Sequence, residues 1–131
     1  MSLGGSEAVT RGVKVAVKPR YSPDHSDPHR NEWFFLYHVT ISNEGDQSVR
    51  LISRHWVITD ANGDVQQVRG PGVVGEQPLL APGQSFEYTS GCPLSTPFGS
   101  MHGSYQMVLS DGEQFDAEIG AFSLSRPESV Q

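Results

Sequence analysis

Cysteine is almost missing from this chain: Cys92 is the single one among 131 residues. No internal disulfide can form, and a cysteine-rich zinc site is excluded. The neighbours Gly91 and Pro93 predict that Cys92 sits in a turn rather than serving as a nucleophile. Basic residues are scarce as well, nine Lys and Arg against fifteen Asp and Glu, for a formal net charge of −6. Affinity for nucleic acid or an acidic membrane comes mainly from Lys and Arg that neutralise phosphates, so a general binder of either kind is excluded. No block of like charge marks an interaction tail. Long apolar runs are absent too. The longest, residues 33–37 (WFFLY), falls far short of the ~20 residues a helix needs to cross a bilayer. The first residues lack the charged-then-apolar pattern of a secretion signal. The resulting expectation is a reduced, cytoplasmic protein. Finally, no stretch of ten residues shows 3.6-residue periodicity free of proline and glycine, which argues against a helical fold.

What is present suits a chain that turns often. It has 14 Gly and 9 Pro, with an aromatic complement of two Trp, six Phe and four Tyr large enough to build one core. Val13, Val15 and Val17 alternate with Lys14, Ala16 and Lys18, the period-two pattern of a half-buried strand. Residues 33–43 give the strongest strand, with Trp33, Phe35, Tyr37, Val39 and Ile41 on the core face. In residues 49–60, Ile52, Trp56 and Ile58 share a face with Arg54, opposite Leu51, Ser53, His55, Val57 and Thr59. Trp56 is then the core tryptophan of a two-sheet sandwich. Arg54 is expected to pack its stem and leave its guanidinium in water. Asn62-Gly63 and Asp111-Gly112 are hairpin signals. Residues 85–90 and 101–110 read as strands, separated by a Pro/Gly loop over 91–100. The last strand, 114–124, changes phase at Gly120-Ala121, which predicts a β-bulge. Seven or eight short strands at this spacing predict an all-β, antiparallel sandwich. One domain spans 9–124, between a flexible leader (1–8) and a frayed tail (125–131).

Two segments carry candidate chemistry. Gly70-Pro71-Gly72-Val73-Val74-Gly75 matches the G-x-G-x-x-G dinucleotide pattern. That pattern holds a pyrophosphate only where glycines open a helix whose N-terminus supplies free N–H groups. Pro78 and Pro82 forbid such a helix, and Glu76 would repel the anion. The glycines then shape backbone, and Arg69, Val73, Val74 and Gln77 are the side chains left to meet a partner or anion. Val73 and Val74 should point to opposite sides, one anchoring the loop. In the second segment, residues 21–31, His25, Asp27 and His29 are weak candidates for a divalent-metal site. Pro28 stands between them and Arg30 beside them, which favours a solvated loop.

The runs SRHWVITDANG (53–63) and VRGPGVVGEQPLLAPGQSFEYTSGCPLSTPFGSMHGSYQM (68–107), with VKVAVKPRY and WFFLYHVTISNEG before them, closely resemble the bacterial ApaG family. The resemblance covers nearly the whole chain, about residues 9–124. It implies an immunoglobulin-like or fibronectin-III-like β-sandwich and an association with cobalt resistance and magnesium efflux. It also implies a protein-binding role, since similar domains occur in eukaryotic F-box proteins and in a polymerase-delta-interacting protein. The run matched here by Gly70, Gly72 and Gly75 is, by the same resemblance, a candidate pyrophosphate site. The His25–His29 segment lies outside the family pattern.

The leading expectation is a non-enzymatic binding module for another protein, with no cofactor, existing as a monomer or weak homo-oligomer. The alternatives are a phosphate- or nucleotide-responsive protein using Arg69 and the loop amides, and a metal binder using the His/Asp segment. An enzyme ranks last, because no local motif supplies a nucleophile, a base and an orienting group, although scattered histidines leave a triad assembled in three dimensions open.

Overall fold

The computed structural model describes residues 5–127. Among them, nine strands follow in order: β1 (Ser6–Thr10), β2 (Val13–Tyr21), β3 (Trp33–Asn43), β4 (Val49–Asp60), β5 (Val65–Pro71), β6 (Leu79–Leu80), β7 (Ser85–Leu94), β8 (Phe98–Leu109) and β9 (Gln114–Ser125). Two 3-10 turns, Pro23–His25 and Pro28–Arg30, fill the connection from β2 to β3. One sheet has the order β1-β2-β3-β7 and the other β5-β4-β8-β9, with β6 paired to the start of β4. Every pairing is antiparallel. The result is an immunoglobulin-like antiparallel sandwich.

The core lies where alternation put it. Val13, Val15 and Val17 from β2 and Trp33, Phe35, Tyr37, Val39 and Ile41 from β3 are buried against Trp56, Met101, Tyr105, Ile119 and Phe122 of the other sheet. Trp56 meets Tyr37 and Phe122 edge-on, at 5.2 and 5.9 Å between ring centroids, the offset geometry aromatic quadrupoles favour. Tyr88 and Tyr105 reach across the core and share a hydrogen bond between their hydroxyls at 2.5 Å, so neither polar tip is stranded. The bulge expected in β9 is present: Met101 faces Phe122 but Gly103 faces Ile119, so Gly120 and Ala121 share one opposing residue.

Several expectations need correction. A second bulge, at Ile52, resets the phase of β4 against β8. Leu51 is therefore buried, and Ile52, expected on the core face, is turned out to solvent. The loop expected over 91–100 shrinks to residues 95–97, because β7 and β8 extend into it from both sides. Cys92 accordingly sits in β7 opposite Phe35, buried, and not in a turn. The expected leader reaches less far than residue 8, since Ser6, Glu7 and Ala8 pair with Val17, Ala16 and Val15. Residues 1–4 of that leader and 128–131 of the expected tail lie outside the described residues, whereas Ser125 belongs to β9.

β1 closes one side of the sandwich. It lies against β9, where Thr10 Oγ1 accepts a hydrogen bond from the Glu118 amide at 3.0 Å and Gly120 comes close to Ser6. The opposite side, between the outer edges of β5 and β7, has no such strand among the described residues.

Candidate functional site

The glycine segment ends β5 and turns back on itself. Val73 and Glu76 exchange two backbone hydrogen bonds at 2.8 Å, with Val74 and Gly75 as the two loop residues. Both have positive φ, 42° and 80°, which makes a type I′ turn. No helix follows Gly75, as Pro78 and Pro82 dictate. Gly72, at φ 60°, is required for space: a Cβ there would lie 2.2 Å from the Glu76 carbonyl oxygen. Val73 is buried at 1 % exposure, whereas Val74 is 56 % exposed, the split expected of adjacent valines. Val74 is a β-branched residue held at positive φ, a strained conformation.

Arg54 organises this turn from β4. Its Nη1 donates to the carbonyls of Pro71 and Gly72, each at 2.9 Å, and the guanidinium lies over Gly70 where a side chain would otherwise stand. The expected fully wet guanidinium is thus half-buried and tied to backbone. Gln77, expected to be available for contact, instead donates from Nε2 to the Ile52 carbonyl at 2.8 Å, and its own carbonyl accepts from Arg50. Val73, being buried, cannot meet a partner. Of the side chains singled out around the loop, Arg69 and Val74 remain exposed and uncommitted. The amides of Gly72, Val73 and Glu76 are spent on Ile52, Glu76 and Val73, so the loop has few donors left for an anion.

The open side of the sandwich holds a feature the sequence reading did not single out. Two cavities of about 250 and 130 Å³ run together between the β5 and β7 edges, sharing Ile58, Gln66 and Pro93. Trp56, Tyr37 and Met101 form the floor, with Arg54 at one end and Asp60 and Asp64 at the other. Burial pushes the Tyr37 phenol above its ordinary pKa, offset in part by Ser90 and the Arg54 charge. Burial likewise pushes the Cys92 thiol up to about 11, so it stays protonated and unreactive at neutral pH.

Backbone along this slot is free. The ladder bonds between β4 and β5 fall on the pairs that include Ile52–Gly72 and Asp60–Asp64. By alternation, Val65, Gln67 and Arg69 turn their N–H and C=O groups away from β4. On β7 the corresponding outward set includes Pro93, which has no N–H to offer. Pro71 closes the far end of β5 in the same way. Between Val65 and Arg69, β5 carries neither proline nor bulge, two of the usual protections of an exposed edge.

The histidines divide among separate places. His25 Nδ1 lies 2.7 Å from Ser22 Oγ and its ring packs against Phe34, while Asp27 uses its backbone to close a bridge with Glu32. Among the described residues no group of three His, Cys, Asp or Glu side chains is arranged to hold a metal ion, so His25, Asp27 and His29 are not drawn together. His38 comes nearest to a catalytic constellation, with Nδ1 2.8 Å from Thr89 Oγ1 and Nε2 2.8 Å from Glu87 Oε1. It stands on a sheet face, 40 % exposed beside a Glu87 that is 65 % exposed, so both groups are open to water. On the outer face of the other sheet, His55 bonds Gln67 and shares a shallow polar cleft of about 320 Å³ with Arg69, Ser53, Gln106 and Asp116. Among the described residues no helix is long and apolar enough to cross a membrane.

Comparison with known proteins agrees with this architecture. A family profile described as the ApaG domain matches residues 23–109. The chain is 53 % identical over 122 residues to Protein ApaG of Parvibaculum lavamentivorans, covering 93 % of this chain and 94 % of the relative. It is 57 % identical over 121 residues to Protein ApaG of a Bradyrhizobium species, covering 92 % and 93 %. The crystal structure of the ApaA protein from Bordetella pertussis superposes with a TM-score of 0.87 at 47 % identity, over 98 % of this chain and 100 % of that one. By sequence and by fold, the chain belongs to the ApaG family.

Proposed function

We propose that this protein is a non-enzymatic interaction module that binds another protein along the open side of its sandwich, on the β5 edge. One observation carries this reading. β1 seals one side of the sandwich, whereas on the other side β5 leaves Val65, Gln67 and Arg69 with unpaired backbone groups beside an amphipathic slot. An exposed edge without proline or bulge can accept an extended segment as an added strand, which supplies affinity through main-chain hydrogen bonds. The exposed Val74 extends the same surface past the end of the strand.

The module works without a cofactor, in the cytoplasm, and contacts neither nucleic acid nor membrane; the net charge of −6 favours protein partners over phosphate-rich ones. The association with cobalt resistance and magnesium efflux that the resemblance implies is then indirect, exerted through the partner. The anion-binding alternative at Gly70–Gly75 is disfavoured by the donors already spent inside the loop and by Glu76.

The test is affinity enrichment from a bacterial lysate with the native chain, Gln67→Pro and Gln67→Ala. Proline at 67 removes an N–H that faces solvent and leaves the β4 ladder untouched. Partners captured by the native chain and by Gln67→Ala should be lost with Gln67→Pro. Capture that survives Gln67→Pro contradicts binding on this edge.

A further inference from the structure

We propose that the slot beside β5 selects an extended segment of a second protein by charge order, with an acidic residue at its N-terminal end, apolar residues in the middle and a basic residue at its C-terminal end. This inference rests on the interaction-module reading above and names the kind of segment it takes.

The slot is polarised along β4. Arg54 and Asp60 are six residues apart on one strand, so about 20 Å separates the cationic from the anionic end. Arg54 belongs to none of the ion pairs among the described residues, and its guanidinium lies over Gly70 at the β5 edge. At the other end, Asp60 Oδ1 is used by the amides of Asn62 and Asp64, while the Asp64 side chain is exposed and belongs to no ion pair among the described residues. Between them the walls are mixed, with Trp56, Ile58 and Val68 supplying the apolar surface and Gln66 on β5 and Ser90 on β7 the polar.

Geometry then sets a pattern. A strand added antiparallel to β5, the commoner pairing, would bond the free groups of Arg69, Gln67 and Val65 in turn. Its alternate side chains would point into the slot. The first would sit beside Gly70, whose missing side chain leaves the Arg54 guanidinium accessible from the edge. The next two would cover Val68 with Trp56 and Gln66 with Ile58. The fourth would reach Asp64 and Asp60. The order read is acid-x-apolar-x-apolar-x-base. The reversed order places like charges together at both ends, and that repulsion is what excludes it.

The probe is the capped, fluorophore-labelled peptide Glu-Thr-Val-Thr-Leu-Thr-Lys, with Lys-Thr-Leu-Thr-Val-Thr-Glu as a control of equal composition. Fluorescence anisotropy should show the first binding at least about tenfold more tightly than the second. Asp64→Lys, at an exposed position, should remove most of that preference, and Gln67→Pro should abolish binding of both, while Gln67→Ala retains it. Equal binding of the two orders, stronger binding of the control, or binding indifferent to Gln67→Pro would each overturn the inference. So would concentration-dependent dimerisation in sedimentation that Gln67→Pro removes, since the slot would then belong to a second copy of the chain. If neither peptide binds but lysate capture still depends on the β5 edge, the charge order is wrong and the interaction module stands. If lysate capture is also indifferent to Gln67→Pro, both fall.

Discussion

The guanidinium of Arg54 and the carbonyl of Gly72 meet at 2.9 Å, and this contact ties the turn after β5 to the strand beside it. Through it, a residue on the inner face of β4 fixes the backbone of the most glycine-rich segment of the chain. The same residue forms the cationic end of the slot, so the shape of the loop and the charge of the slot depend on one side chain.

The loop should respond unequally to substitution. Gly72→Ala brings a methyl group against the Glu76 carbonyl at a positive φ and should cost about 2–4 kcal/mol in urea denaturation. Gly75→Ala meets open space and should cost only about 1 kcal/mol, from its positive φ alone. Val74→Asn should stabilise the protein by about 1 kcal/mol, because Asn-Gly is the favoured type I′ pair. If that variant also loses partner capture, Val74 is kept for contact at the expense of stability.

The two faces of β4 should differ sharply. Trp56→Ala removes the aromatic that joins Tyr37 and Phe122 and should cost about 3–5 kcal/mol. His55→Ala, on the outer face with one bond to Gln67, should cost less than about 1 kcal/mol. Equal losses in urea melts would contradict the packing described.

That face assignment shows how much the sequence disclosed. Trp33 to Ile41 alternate without interruption and were legible in full, as was the bulge marked by Gly120-Ala121. Ile52 was misplaced because a bulge in β4 carries no glycine or proline to announce it, so strict alternation runs one residue out of phase. Cys92 was drawn into an expected loop by its neighbours. Pro93 in fact lies on the outward side of an edge strand, where proline is tolerated. The turn at Val74-Gly75 was hidden because valine rarely occupies positive φ. The slot itself was invisible, since Arg54, Gln66 and Tyr37 come from three strands and meet only when the sheets pack. Proline at 71 and 93 was the one available clue that β5 and β7 are edges.

Alkaline pH should destabilise the fold ahead of any exposed-group effect. The folded state raises the pKa of Cys92 to about 11 and moves Tyr37, Tyr88 and Tyr105 upward, in each case mainly through burial. A raised folded pKa means stability present below the unfolded pKa and lost as pH rises through the folded one. For Cys92 the loss should run from about pH 9 to about pH 11. Thermal melts across that window should fall. Iodoacetamide should label Cys92 slowly in the native protein and quickly in urea.

Small anions and metals should bind weakly to the isolated protein. Pyrophosphate and dinucleotides should show affinities no tighter than about millimolar, roughly 4 kcal/mol, in calorimetry. Cobalt and magnesium should show no sub-micromolar site. A micromolar nucleotide affinity lost with Arg69→Ala would put the phosphate reading first, and a tight cobalt site lost with His25→Ala and His29→Ala would restore the metal reading.

Amide hydrogen exchange on the native chain, with and without a partner recovered by enrichment, tests the central claim most directly. Binding on the β5 edge predicts that the amides of Val65, Gln67 and Arg69, free in the unbound protein, become strongly protected together. Unchanged exchange at these three amides, with protection confined to residues 72–77 or to the outer sheet faces, would contradict it.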